Sequence, residues 1–161
     1  MAILQPSDIV DIGIEKEKKR RDFYGMAADR FSDDEEIAGL FAKLRDWEET
    51  HVRKFQGIRD EVAGGNYAES YSGEIEDYMQ AVVDEDLYSD ITPEKFAETI
   101  ESPVDALERG VGFEKDAILF FGELSRFVES NAKAKSVIDQ LIKEEQQHML
   151  QLFEMKKKYR K

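Results

Sequence analysis

Apolar residues return every three or four positions through four long stretches of the chain, and a less regular segment separates the second stretch from the third. That spacing is the mark of amphipathic helices with one face turned inward. The first stretch opens at Ser7, a residue type suited to an N-cap, and runs to about Phe31. Its inner face reads Val10, Ile14 (or Gly13), Glu17, Tyr24, Ala28 and Phe31. The second follows Ser32-Asp33-Asp34-Glu35, a capping-box pattern, and places Ile37, Leu40, Phe41, Leu44, Phe55 and Ile58 at helical spacing. Gly64-Gly65 lies beyond its end. The third starts at Ser102-Pro103, an N-cap followed by proline at the first helical position, and carries Leu107, Val111, Ile118, Phe121 and Val128 on one face. The fourth runs from about Ala132 to Lys157, with Val137, Ile138, Leu141, Leu152 and Met155 inward. Residues 60–102 are too many for a turn. Residues 72–84 read as a short helix, and Thr92-Pro93-Glu94 opens another of about two turns. The pattern predicts an all-α bundle of two antiparallel helix pairs joined by one long, partly helical crossover, in a single domain over residues 1–161.

Two of the inward stripes are interrupted by charge. Glu48 and His51 fall between Leu44 and Phe55, and Glu145 and His148 fall between Leu141 and Leu152. These are the two histidines of the chain, each three residues after a glutamate and so on the same helix face. Glu17 precedes Glu48 by 31 positions, as Glu114 precedes Glu145, and the second set is the first shifted by 97 residues. The same shift relates Gly13 to Gly110, Ile14 to Val111, Phe23 to Phe120, Leu44 to Leu141 and Phe55 to Leu152, which points to an internal duplication.

An unpaired carboxylate inside a core is costly, and metal coordination resolves the cost. Two divalent cations would balance the four glutamates. Glu48 and Glu145 would bridge the two ions, with Glu17 and His51 completing one shell and Glu114 and His148 the other. Carboxylate oxygen with neutral imidazole suits iron or manganese, and zinc can enter the same set. Glu15 could replace Glu17 as a ligand, but its face also carries Lys19 and Asp22, so it should point outward. Glu144, beside Glu145, should not contribute to metal affinity. Tyr24 is placed to donate a hydrogen bond to a ligand or to bound oxygen, or else to pack as an ordinary bundle tyrosine; its counterpart one repeat later is Phe121.

Composition narrows the chemistry. The chain has no cysteine, which excludes disulfides, thiolate-bound zinc and iron–sulfur centres within it and fits a reducing cytoplasm. A net charge of −13, spread along the whole length, disfavours nucleic acid and attracts small cations. The basic end Lys156-Lys157-Lys158-Tyr159-Arg160-Lys161 suits a helix C-terminus. No signal-peptide pattern and no membrane-spanning apolar run is visible, so a soluble protein is expected.

Taken together, Glu17-Lys-Lys-Arg-Arg-Asp-Phe-Tyr24, Glu48-x-x-His51, Glu114-Lys-Asp-Ala-Ile-Leu-Phe-Phe121 and Glu145-x-x-His148 resemble the rubrerythrin branch of the ferritin-like di-iron carboxylate superfamily. The resemblance covers nearly the whole chain apart from the crossover. It implies a ferritin-like four-helix bundle and a non-haem di-iron centre that is reduced and then reoxidised by hydrogen peroxide or oxygen, a role in oxidative stress. Carried over by position, the six ligands are those derived above. Rubrerythrins append a cysteine-ligated iron domain that this chain lacks, so a separate electron-donor protein is expected. Arg21 is matched by Ile118 in the second repeat, and it either pairs with a ligand carboxylate or carries its charge outward. Ferritin-like iron oxidation or trafficking, and a metal-binding module without turnover, are the competing expectations. A homodimer is expected because symmetric dimers are common and the resembling family often forms them. The crossover residues Tyr67, Tyr71, Tyr78, Tyr88 and Phe96 would cover the bundle or form that interface.

Overall fold

The computed structural model describes residues 5–63 and 91–161, with Asp77, Ala81, Val82 and Tyr88 between them. Among the described residues there are five helices and no strand: α1 (Pro6–Arg30), α2 (Glu35–Val62), α3 (Pro93–Thr99), α4 (Pro103–Phe127) and α5 (Ala132–Tyr159). The fold is all-α. Most of the helix expected over residues 72–84, Gly64-Gly65, and the tyrosines Tyr67, Tyr71 and Tyr78 lie outside the described residues.

Each helix start follows from a side chain that satisfies its first free amides. Asp34 accepts from the backbone N–H groups of Glu36 and Ile37, so the cap of α2 is the last acid before the helix rather than Ser32. Thr92 accepts from Lys95, and Asn131 from Ala134. Ser102 and Asp105 form a reciprocal box, with the Ser102 N–H donating to Asp105 at 2.8 Å. The start of α1 differs from expectation. Its N-cap is Gln5, because Pro6 fits the first helical position and Asp8 reaches back to the Gln5 N–H at 2.9 Å.

Cross-helix contacts give the directions. Arg59 pairs with Asp11 and Arg21 with Glu49, which makes α1 and α2 an antiparallel pair. Glu108 meets Lys156 and Ser125 meets Asp139, which does the same for α4 and α5. Lys16 reaches Asp116 and Tyr24 reaches Gly110, so α1 and α4 are antiparallel; Glu61 meets Lys133 and Glu36 meets Lys158, so α2 and α5 are too. It follows that α2 and α4 point the same way. The end of α2 and the start of α4 therefore lie at opposite ends of the bundle, roughly 40 Å apart for a helix of this size, with residues 63–102 between them. Tyr88 and Phe96 from that stretch cover the bundle: Tyr88 stacks on Phe113 at 5.2 Å, and Phe96 meets Phe23 edge-on at 5.3 Å.

The core has two apolar ends and a polar middle. One end gathers Ile9, Phe55, Ile58, Phe120, Leu124 and Ile138, and the other Phe23, Phe41, Leu44, Leu107, Phe113 and Leu152. On α4 the buried face is centred on Phe113, Ala117, Phe120 and Leu124, while Val111 and Ile118 are half-buried. The run Ala117-Ile118-Leu119-Phe120-Phe121 is apolar on every side, so periodicity alone could not orient it. The duplicated glycines sit at tight helix contacts. A Cβ on Gly13 would lie 2.9 Å from the Phe120 ring, and one on Gly110 would lie 3.1 Å from Leu152 and 3.2 Å from Tyr24.

Candidate metal centre

The polar middle layer is formed by the residues that interrupt the apolar stripes. Glu17, Glu48, Glu114 and Glu145 are wholly buried, and His51 and His148 nearly so. Each of the four long helices contributes. The ligand-type atoms fall into two groups, Glu17, Glu48, His51 and Glu145, and Glu48, Glu114, Glu145 and His148, with the atoms of each group within 4.8 Å of one another. Glu48 and Glu145 belong to both. All six sequence-derived residues are thus brought together, in the pairing expected from the 97-residue shift. Glu15 points outward, where it pairs with Lys18.

Both histidines turn Nδ1 toward the carboxylates. His51 Nδ1 lies 2.9 Å from Glu145 Oε1 and 3.6 Å from both Glu17 Oε2 and Glu48 Oε2. His148 Nδ1 lies 2.8 Å from Glu145 Oε2 and 4.0 Å from both Glu48 Oε1 and Glu114 Oε2. Two ligand atoms at right angles on one ion, each about 2.1 Å from it, are about 3 Å apart. Several of these buried atoms have no hydrogen-bond partner: Glu17 Oε2, both Glu48 oxygens, His51 Nδ1, Glu114 Oε2 and Glu145 Oε1. Buried polar groups normally find partners. Unpartnered oxygens and an imidazole nitrogen converging on two points fit a pair of divalent cations.

The electrostatics without metal show the cost of this arrangement. Burial, and then the Glu145 carboxylate, push Glu48 and Glu114 well above the ordinary glutamate range. Burial works on Glu145 in the same direction, but the nearby His51 and the hydrogen bond with His148 overcome it and hold Glu145 well below that range. Burial opposes a charged His51, yet the Glu145 carboxylate beside its Nδ1 and the bond between its Nε2 and Glu144 carry it well above the usual imidazole value. Protons thus stand in for cations.

Three contacts around the centre, those of Arg20, Glu144 and Trp47, were not read from the sequence. Arg20 is completely buried and donates to Glu17 Oε1 at 2.5 Å and to the Tyr88 hydroxyl at 2.7 Å. Arg21, by contrast, turns outward to Glu49 and Asp22. The positions of Arg20, three after Glu17 and four before Tyr24, were a helical signal, masked by the run Lys18-Lys19-Arg20-Arg21. Glu144 is half-buried and meets His51 Nε2 at 2.9 Å, while Lys54 holds its carboxylate from the other side. Read from sequence alone, Glu144 has no part in metal affinity; the structure adds that its long side chain reaches across from α5 to the far nitrogen of His51 on α2. Tyr24 donates to Glu114 Oε1 at 2.5 Å. Trp47 stacks on His148 with 4.6 Å between ring centroids. Trp47, His51, Lys54, Glu144, His148 and Gln151 line part of a cleft of about 340 Å³ between α2 and α5.

No protein-family model, curated protein or solved structure matches the chain. Among the described residues, no helix is long and apolar enough to cross a membrane.

Proposed function

We propose that this is a ferritin-like di-iron protein of the rubrerythrin type, reducing hydrogen peroxide, or oxygen, with electrons from a separate donor protein. The observation that carries the reading is the sharing of Glu48 and Glu145 between two buried ligand groups, each completed by one further glutamate and one histidine. Iron held there would supply the two electrons that cleave the O–O bond. The chain's own residues set the conditions for that chemistry. Glu48 and Glu145 fix the spacing of the two positions, and Glu144 and Lys54 orient the His51 ring from outside. Tyr24 keeps its proton, since burial and the Glu114 carboxylate raise its hydroxyl well above the usual value, and it holds that proton on Glu114. The surrounding apolar ends exclude water, and the cleft over the two imidazole edges is the route by which the centre approaches the surface.

The test is stopped-flow mixing of the reduced, iron-loaded protein with peroxide and, separately, with oxygen. Oxidation by peroxide at least as fast as by oxygen is the expected result, and much faster oxidation by oxygen would count against a peroxidase. A second reading, a metal-holding module without turnover, draws on Arg20, whose guanidinium fills the space beside Glu17 and Glu48. Natively purified protein holding zinc, with no peroxide reactivity after iron loading, would favour it.

A further inference from the structure

The two halves of the centre are related by a shift of 97 residues, yet the residues packed against them are not. Arg20 corresponds to Ala117 and Tyr24 to Phe121. Arg20 touches Glu17, which belongs to one half only, and approaches the shared Glu48 at the oxygen that faces the same half. Its terminal nitrogen donates to Glu17 Oε1 at 2.5 Å, and its Nε lies 3.7 Å from Glu48 Oε2, without a hydrogen-bond partner of its own. The guanidinium is held in place by the Tyr88 hydroxyl at 2.7 Å and lies 5.8 Å from the ring centres of both Tyr88 and Phe121. The nearby Lys16 ammonium is balanced by Asp116 at 3.1 Å. On the other half, Glu114 receives a hydrogen bond from Tyr24, a neutral donor.

We propose that Arg20 makes the two metal positions unequal, so that the Glu114–His148 half takes up a divalent cation first and the Glu17–His51 half holds its ion more weakly. The inference rests on the dinuclear reading above. Arg20 already neutralises the Glu17 carboxylate through Oε1 while Oε2 faces the metal position, and its charge adds to the repulsion felt by a cation in that half. Once metal has displaced the protons, the four ionised carboxylates and the guanidinium together carry three negative charges. The first divalent ion leaves one negative charge, and the second takes the buried centre to a net positive charge. At the separations seen here, within a low-dielectric interior, a fixed charge of this kind separates two otherwise equivalent affinities by about tenfold or more.

Cobalt(II) titration of the metal-free protein tests this, followed by visible absorption and by chelator competition. The wild-type protein should bind two ions in two steps separated by about tenfold or more. Glu114→Ala should remove the tight step, whereas Glu17→Ala should remove the weak one and keep the other. Arg20→Ala, which installs the residue of the second repeat, should tighten the weak step about tenfold. Arg20→Gln should do the same while retaining a polar side chain, and Arg20→Lys, which keeps the charge, should leave the steps apart. Two equal steps in the wild-type protein would overturn the proposal while leaving the dinuclear centre intact. So would an unchanged separation in a folded Arg20→Gln variant. Absence of any cobalt binding would overturn the dinuclear reading itself.

Discussion

Glu144 and Glu145 are neighbours with different tasks. Glu145 is in contact with both histidines, so Glu145→Ala should abolish stoichiometric metal binding. Of the candidate ligands, Glu144 touches only the far nitrogen of His51, and Glu144→Ala should weaken an ion on that side by about 10–100-fold without abolishing binding. Metal analysis after dialysis against a graded chelator separates the two outcomes, and equal metal content in both variants would show that the wrong face of α5 has been assigned. Tyr24→Phe places in the first repeat the residue that the second already carries. It removes one partner from a buried carboxylate, so the metal-free protein should lose about 1–3 kcal/mol in urea unfolding. A change within error would mean that the Tyr24–Glu114 bond is replaced by another donor. At this scale the six clustered residues were legible in the sequence because they break apolar stripes at a repeated spacing. Arg20 was not, because its helical position was hidden among three other cations. Glu144 was assigned by its helix face, and its reach across to His51 depends on how closely α2 and α5 pack.

The helices themselves were largely readable. Ser102-Pro103, Thr92-Pro93 and Asn131 mark starts through residues that satisfy free amides locally, so a short sequence window contains the cause. The start of α1 was less so, because Ser7 is the better cap by residue type while Pro6 and Asp8 act together one step earlier. Packing between elements gives a sharper test at the glycines. Gly13 lies where a methyl group would meet the Phe120 ring, whereas a methyl group at Gly57 would meet nothing within 4 Å. Gly57→Ala should therefore gain up to about 1 kcal/mol from helix propensity. Gly13→Ala should lose about 1 kcal/mol net, because overpacking against a rigid ring outweighs the same gain. Urea unfolding of the two variants should move in opposite directions, and a stabilised Gly13→Ala would mean that α1 and α4 are less tightly packed than described here.

For the whole molecule, the proposed dinuclear centre would set protons and metal ions in competition for the same groups. Glu48, Glu114 and His51 hold protons more readily in the fold than in the unfolded chain, since each is raised above its ordinary value. Their combined effect makes the metal-free protein more stable as pH falls from neutrality toward about 5. Glu17 and Glu145 are lowered, and Glu144 is brought down to about 2, so their contributions fade only below the ordinary glutamate range. Metal must displace the bound protons, and affinity should fall by about tenfold per pH unit for each proton released. Melting temperatures should therefore rise on mild acidification without metal and fall with it. The same direction in both forms would rule out proton–metal exchange as the source.

The paired arrangement of the helices also decides how the molecule comes apart. The α1–α2 pair brings three donors to one position and one to the other, and the α4–α5 pair brings the reverse. Neither pair can complete either position by itself. An ion held there would therefore act as a rivet through the seam between two hairpins. Stripping the ions should loosen that seam first, with amide hydrogens facing it exchanging faster while each hairpin stays wound. Two such rivets, each driven mainly from opposite sides, would lock the halves against sliding as well as against separation.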